Sequence, residues 1–321
     1  MAVAALSASA LLATGAQAST VSIGSVLPAG SAPTAFGQVQ TQFNTALPEK
    51  GANLVSPVSG AIVRWRIQGA SGGPFFLRVL HPNGSGAYSA SGTSGGATPA
   101  NEGLQTFTAN LPVKAGDLIG IDPTNGSDKI GVATVAGAGF AQIFPPPFDG
   151  ATVAPSGTEA GKEIELSAEV QPTPAVTKVS PTSGSVAGGT EVTITGTDFN
   201  AASAVKFGDL PAATYQVDSE TQITATTPKS AKTGRVEVTV TTLAGTSSPV
   251  RGFTYEGCVV PKLGGKTLKV AKQRIRGADC KLGTVGKVKR PAAKRNKVVL
   301  QSPKPGKVLA PGAKVNLKIG K

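Results

Sequence analysis

Cys258 and Cys280 are the only cysteines in 321 residues, and His81 is the only histidine. Metal or nucleophilic chemistry would therefore have to be assembled from very few groups. Two cysteines 22 apart with no histidine nearby fall short of the four ligands of a structural zinc site. A Ser-His-Asp or Cys-His arrangement would have to use His81, which stands beside Pro82-Asn83-Gly84 and reads as a residue flanking a surface turn. "GGKT", Gly264 to Thr267, resembles the end of a phosphate loop, but that motif needs glycine where Val260 stands. "DPTNGSD", Asp122 to Asp128, offers carboxylates, yet Thr124 breaks the EF-hand pattern and a surface turn is expected. Paired carboxylates for glycoside hydrolysis would come from Asp117, Asp122, Glu163 and Glu165, none of which sits in a motif. Glu163 and Glu165 alternate with Ile164 and Leu166, so both are expected to face solvent from one strand. Trp65 has the chemistry of a sugar-stacking platform, but its neighbours Val63 and Ile67 favour a core position. The sequence thus assigns no catalytic residue, no metal ligand and no cofactor.

What remains is charge. The net +13 is unevenly spread: residues 257–321 hold eighteen lysines and arginines against one acid, Asp279, a net +17 that leaves −4 for everything before. Such a unit attracts anionic polymers by releasing their counterions, whether wall phosphates, wall carboxylates or nucleic acid. The absence of any aromatic residue after position 256 removes base-stacking platforms and disfavours nucleic acid. Within this unit Leu268, Ala271, Ile275 and Ala278 recur at helical spacing, with Gly264-Gly265 before and Gly283 after. Lys266, Lys269, Lys272, Arg274 and Arg276 fall on the remaining surface and are the candidate ligand-binding residues. The bland alternative is that they only solvate a small domain.

The elements that must position these residues are mainly strands. Glycine (41) and proline (24) punctuate short Val/Ile/Thr-rich runs, the composition of many turns joining short strands. Between residues 19 and 170, "AIVRWRIQG" places Val63, Trp65 and Ile67 on one face and Ile62, Arg64 and Arg66 on the other, and "KEIELSAEV" reads as the closing strand. A β-sandwich or jelly roll with no crossover helices is expected there. Residues 171–181, with three prolines, read as a linker or an entering edge strand. The first 18 residues form an apolar, small-residue run ending Ala16-Gln17-Ala18, the pattern of a signal peptide with its A-x-A cleavage site, although the basic start is missing. Export is expected, with no membrane span and no covalent anchor in the "VNLKIGK" end. In an oxidising compartment Cys258 and Cys280 would form one disulfide, the alternative being two unrelated buried thiols.

Two stretches resemble known families. Ser180-Pro181-x-Ser183-Gly184, Gly188-Gly189-Thr190, Gly196 to Phe199 and Phe207-Gly208 run in order through a compact set of strands. Residues of about 174–256 resemble an IPT/TIG domain, an immunoglobulin-like β-sandwich that serves as spacer or binding module. Further on, Val260-Pro261-x-Leu263-x-Gly265, the Ala271 to Ala278 helix, Gly283, Gln301-Ser302-Pro303 and Pro305-Gly306 resemble a PASTA domain, one helix against a short sheet. That resemblance, over 257–321, implies binding of peptidoglycan fragments or other wall polymers, although the two cysteines and the extreme basicity depart from the family. The expected organisation is a signal peptide (1–18), a β-sandwich of unassigned ligand (19–170), an IPT/TIG domain (171–256) and a PASTA domain (257–321). The expected whole is a non-enzymatic protein of the cell envelope, with a secreted polysaccharide-active enzyme as the rival reading.

Overall fold

The computed structural model describes residues 19–28, 31–289 and 295–321. More than half of the chain is strand, and one helix stands among the described residues. The expected leader segment lies outside them.

The first unit is two antiparallel sheets face to face. The smaller has the order Val21–Gly24, Leu166–Pro172, Gly60–Ile67, Gln105–Val113. The larger runs Thr152–Val153, Tyr88–Thr93, Phe76–Pro82, Leu118–Asp122, Thr41–Ala46, Lys129–Ile143, Gly157–Ile164, with Ala32–Ala35 also paired to Lys129–Ile143. Their facing sides interdigitate around Trp65, Ile62, Ile67, Leu77, Val79, Ile121 and Leu166, all fully buried. Trp65 packs against Phe107 with ring centroids 4.8 Å apart, which is the core position expected of it. A second cluster, Phe43, Leu80, Ala141 and Ile143 with Tyr88 and Val153 against it, lies on the other face of the larger sheet.

Two sequence expectations fail here for one kind of reason, a break in alternation. A bulge between Ile62 and Arg64 puts Ile62 inward with Trp65 and Ile67 and leaves Val63 half-buried, so the two-residue period is not continuous. The run "KEIELSAEV" is not one strand either. Its front half, Gly157–Ile164, pairs with Lys129–Ile143 in the larger sheet, and its back half, Leu166–Pro172, pairs with Gly60–Ile67 in the smaller. The chain changes sheets at Glu165, so Glu163 and Glu165 sit at the seam between layers, fully buried rather than solvent-facing.

The second unit is a sandwich of Ala175–Ser180, Glu191–Thr197, Gln222–Thr226 and Thr214–Ser219 against Ser183–Ser185, Val250–Glu256, Gly234–Thr242, Ala204–Phe207 and Leu210–Pro211. Val192, Ile194 and Ile223 from one sheet meet Phe207, Val238, Val240, Phe253 and Tyr255 from the other. Within 171–181, Ala175–Ser180 is the entering edge strand. The Gly196-x-x-Phe199 pattern has a steric cause: a Cβ at Gly196 would lie 1.9 Å from the Ala175 carbonyl oxygen and 2.4 Å from the Phe199 ring. Glycine there is what lets Phe199 reach full burial.

In the third unit the helix Leu268–Arg276 covers a sheet ordered Lys281–Val288, Lys314–Gly320, Val298–Ser302, the first pair parallel. Cys258–Val259 pairs with Val308–Leu309 beside it. Strands Lys281–Val288 and Val308–Leu309 are absent from the sequence reading. "KLGTVGKV" has two glycines, two lysines and no clean alternation, and only its pairing with Lys314–Gly320 makes it a strand. One residue, Gly257, separates the last strand of the second unit from Cys258, and a Cβ there would approach Val186 and the Leu309 carbonyl oxygen to 2.8 Å. Val308 packs against the core of the second unit.

Replacing Gly196 with alanine forces main chain and Phe199 apart. We expect Gly196→Ala to cost about 1–3 kcal/mol, the range for overpacking a tight core, read as a lower denaturation midpoint of the full chain; an unchanged midpoint would refute the steric account.

Candidate functional site: the cationic C-terminal unit

The site is built on a small core. Val260, Leu263, Ala271, Ile275, Val298, Val315 and Leu317 pack around the Cys258–Cys280 disulfide, both cysteines being buried. The cross-link joins the strand that enters the unit to the end of the helix. Thr267 caps the helix, its hydroxyl accepting from the Val270 N–H at 3.5 Å. Gln301 fixes the Pro261-to-Leu263 segment from the sheet: its side-chain oxygen accepts from Leu263 N at 2.8 Å and its Nε2 donates to the Pro261 carbonyl at 2.9 Å. Asn316 Oδ1 accepts from Thr284 N at 2.8 Å and lies where a Cβ of Gly283 would be, 1.9 Å away, which explains the glycine that marks this motif.

All five candidate cations are exposed, but they do not form one patch. Lys269, Lys272 and Arg276 follow one another at i, i+3 and i+7 and form one stripe along the helix. Arg274 lies on the other flank, its Nη1 3.5 Å from the Lys262 carbonyl oxygen. Lys266 precedes the cap. Among the described residues no lysine or arginine from 257 onward stands in an ion pair. The helix has no acidic residue in its first turn, so neighbouring cations repel without an internal counterion.

The structure adds residues that spacing could not find. At one end of the sheet, Thr267 and Leu268 of the helix start, Lys287, Arg295, Ile319 and Lys321 line a cavity of about 690 Å³. The three cations come from three separate segments and meet only through the fold. Across the outer face of the sheet, Val285, Leu300, Gln301, Asn316 and Lys318 line a second groove of about 410 Å³. The chemistry on offer is anion attraction at one end and a mixed apolar and amide surface beside it.

Titratable groups of the first unit are tied into its framework. His81 Nδ1 lies 2.6 Å from Asp117 Oδ1, and Asp117 also accepts from Lys114 N, so His81 is paired as well as half-exposed. Residues 124–127 form the expected surface turn, while the carboxylates that flank it are buried: Asp122 takes Arg78 at 2.5 Å, and Asp128 accepts from Thr124 N and Asn125 N. Glu169 pairs with both Arg64 and Arg66. Burial pushes the Glu163 carboxyl up to about 7, with Glu49 and Glu165 adding to the shift and the Ser25 hydroxyl, 2.7 Å away, opposing it. Glu165 is raised by burial too, opposed by Ser31. Among the described residues no group of three or more His, Cys, Asp or Glu could hold a metal.

An immunoglobulin-like sandwich followed by a small disulfide-linked α+β unit is the class that this geometry defines. Residues 174–255 match the IPT/TIG domain family and residues 259–321 the PASTA domain family, so the chain carries one of each in series. No family matches the residues before 174. An ankyrin and IPT/TIG repeat-containing protein of Schizosaccharomyces pombe is 34% identical over 110 residues, 34% of this chain and 10% of that protein. This chain thus spans about a tenth of that relative's length. Among solved structures, the full extracellular region of plexin A4 is 20% identical, covering 63% of this chain and 17% of its own, at a TM-score of 0.26. SGBP-B from a complex xyloglucan utilization locus in Bacteroides uniformis is 16% identical, covering 76% and 51%, at a TM-score of 0.24.

The raised Glu163 gives a signed pH dependence. The fold favours the protonated carboxyl while the unfolded chain releases its proton near 4.5. This contribution to stability is therefore complete below about 4.5 and is lost as pH rises through about 7. The first unit should melt higher at pH 5 than at pH 8, and Glu163→Gln should shrink that difference; an unaltered difference between wild type and variant would contradict the assignment. Reducing the disulfide should lower the stability of the third unit by about 3 kcal/mol on the chain-entropy relation, measured by denaturation with and without reductant.

Proposed function

We propose that this is an exported, non-enzymatic protein of the cell envelope that holds peptidoglycan or another anionic wall polymer non-covalently through its PASTA domain. The IPT/TIG domain acts as a spacer, and the first sandwich is presented outward. A multidomain envelope or carbohydrate-binding protein is what the two domain families fit. The observation that carries the finer reading is the +17 of residues 257–321 together with the lack of any ion pair to their lysines and arginines among the described residues. A surface charged this way and left unpaired is one whose partner lies outside the chain. The disulfide agrees with an oxidising compartment. Among the described residues no helix is long and apolar enough to cross a membrane.

The rival reading, a polysaccharide-active enzyme, needs two carboxylates opening on a shared cleft. Glu163 and Glu165 are sealed between sheets and Trp65 is 1% exposed, an arrangement that favours a binding or structural role for the first sandwich. Nucleic acid would need stacking platforms that the third unit does not possess.

The test is retention of the full chain by purified peptidoglycan and by wall teichoic polymer at physiological salt. The triple variant Lys269→Gln, Lys272→Gln, Arg276→Gln should weaken retention on the order of tenfold or more, taking ~1 kcal/mol per surface cation facing an anionic surface. Raising the salt should do the same to the wild type. No retention of the wild type at physiological salt would end the wall-binding reading.

A further inference from the structure

The first sandwich carries a surface feature that neither domain family accounts for. Nine of the eleven phenylalanines are buried or half-buried; the other two, Phe144 and Phe148, are 52% and 78% exposed and bracket Pro145-Pro146-Pro147 on one loop. Exposed aromatics on a soluble domain mark binding surfaces when they are grouped and held.

This loop is held. Asp149 Oδ1 accepts from Arg78 Nη1 at 3.0 Å and from Thr93 Oγ1 at 2.6 Å. Arg78 is itself buried, donating from Nε to Asp122 Oδ2 at 2.7 Å, and Asp122 Oδ1 accepts from Thr41 Oγ1. A buried ionic network in the outer face of the larger sheet thus ends on the residue next to Phe148. Main-chain bonds complete the fastening: Gly150 N donates to the Ala90 carbonyl, Ala151 N to the Phe148 carbonyl, and Phe144 N to the Ser156 hydroxyl. Three consecutive prolines restrict the backbone further. The main chain that carries the two rings is therefore held, with the ordering cost of a mobile loop already met before any ligand arrives.

The surroundings define the ligand. No lysine or arginine occurs between Lys129 and Lys162, and the sequence from 19 to 173 has seven basic against ten acidic residues. The charge of Arg78 is matched by Asp122 and Asp149. Hydroxyl groups flank the loop, Ser156 bonded to the Phe144 main chain and the Ser89 and Thr152 pair 2.7 Å apart on paired strands, together with the half-exposed Asp149 carboxylate. Aromatic faces take C–H surfaces, while hydroxyls and a carboxylate take hydroxyl groups. The net negative charge opposes anionic lipid and anionic wall polymer. The geometry points to an uncharged polysaccharide as the occupant of the residue 144–149 ridge, a site separate from the cationic PASTA surface.

Affinity electrophoresis of the full chain through gels containing galactomannan, mixed-linkage β-glucan or soluble starch tests this. At least one should retard the wild type, with little change between 0.15 and about 0.5 M salt because no counterions are released. Phe144→Ala with Phe148→Ala should weaken that retardation at least tenfold with an unchanged melting temperature, while the triple cation variant should leave it intact. Retention on peptidoglycan should follow the opposite pattern, so either site can fail alone. No retardation by any of the three polysaccharides, or equal retardation of the double-alanine variant, overturns the proposal. So does finding that the two substitutions instead abolish binding to phosphatidylglycerol vesicles or a dimer seen by sedimentation.

Discussion

Mutual repulsion among seventeen net positive charges is the constraint that shapes the C-terminal unit. Its core is nine buried residues, too few to hold a 65-residue segment together against that repulsion without help. Two of the nine are the cysteines of the cross-link, which ties the entering strand to the end of the helix where Arg274 and Arg276 crowd the last turn. The cations there also complement the helix dipole. The Gln301 and Asn316 side chains supply further fixed points by hydrogen-bonding main-chain groups of Pro261, Leu263 and Thr284. Departures from the family pattern, the cysteines and the charge, are thus physically linked: the second is tolerable because of the first.

The first sandwich solves a different problem. A strand that leaves one sheet and joins the other must carry its side chains through the seam, and here two of those are carboxylic acids. Burial, with Glu49 alongside, keeps Glu163 closer to the neutral form against the pull of the Ser25 hydroxyl that donates to it. The Arg78 network answers the same question in the opposite way, by pairing charges rather than neutralising one.

The sequence was most legible where local rules and global fold agree. The helix, the glycine markers and the IPT/TIG strands are patterned cleanly enough to be read directly, and Gly196 and Gly283 proved to be steric requirements rather than flexible points. It was least legible where pairing decides. "KLGTVGKV" becomes a strand only against Lys314–Gly320, and Glu163 becomes buried only because its strand changes sheets. The same holds for the sites. The helix lysines were visible from spacing, whereas Lys287, Arg295 and Lys321 converge from distant segments, and the Phe144 and Phe148 ridge depends on a buried arginine more than sixty residues away.

Gly257 is the whole connection between the IPT/TIG strand that ends at Glu256 and the PASTA strand that begins at Cys258, and the partly buried Val308 packs against the neighbouring core. Such a joint has no slack. A load across this joint would meet a single residue between two strands and no flexible linker. The spacing of the two domains is therefore set by their own dimensions and not by tether entropy.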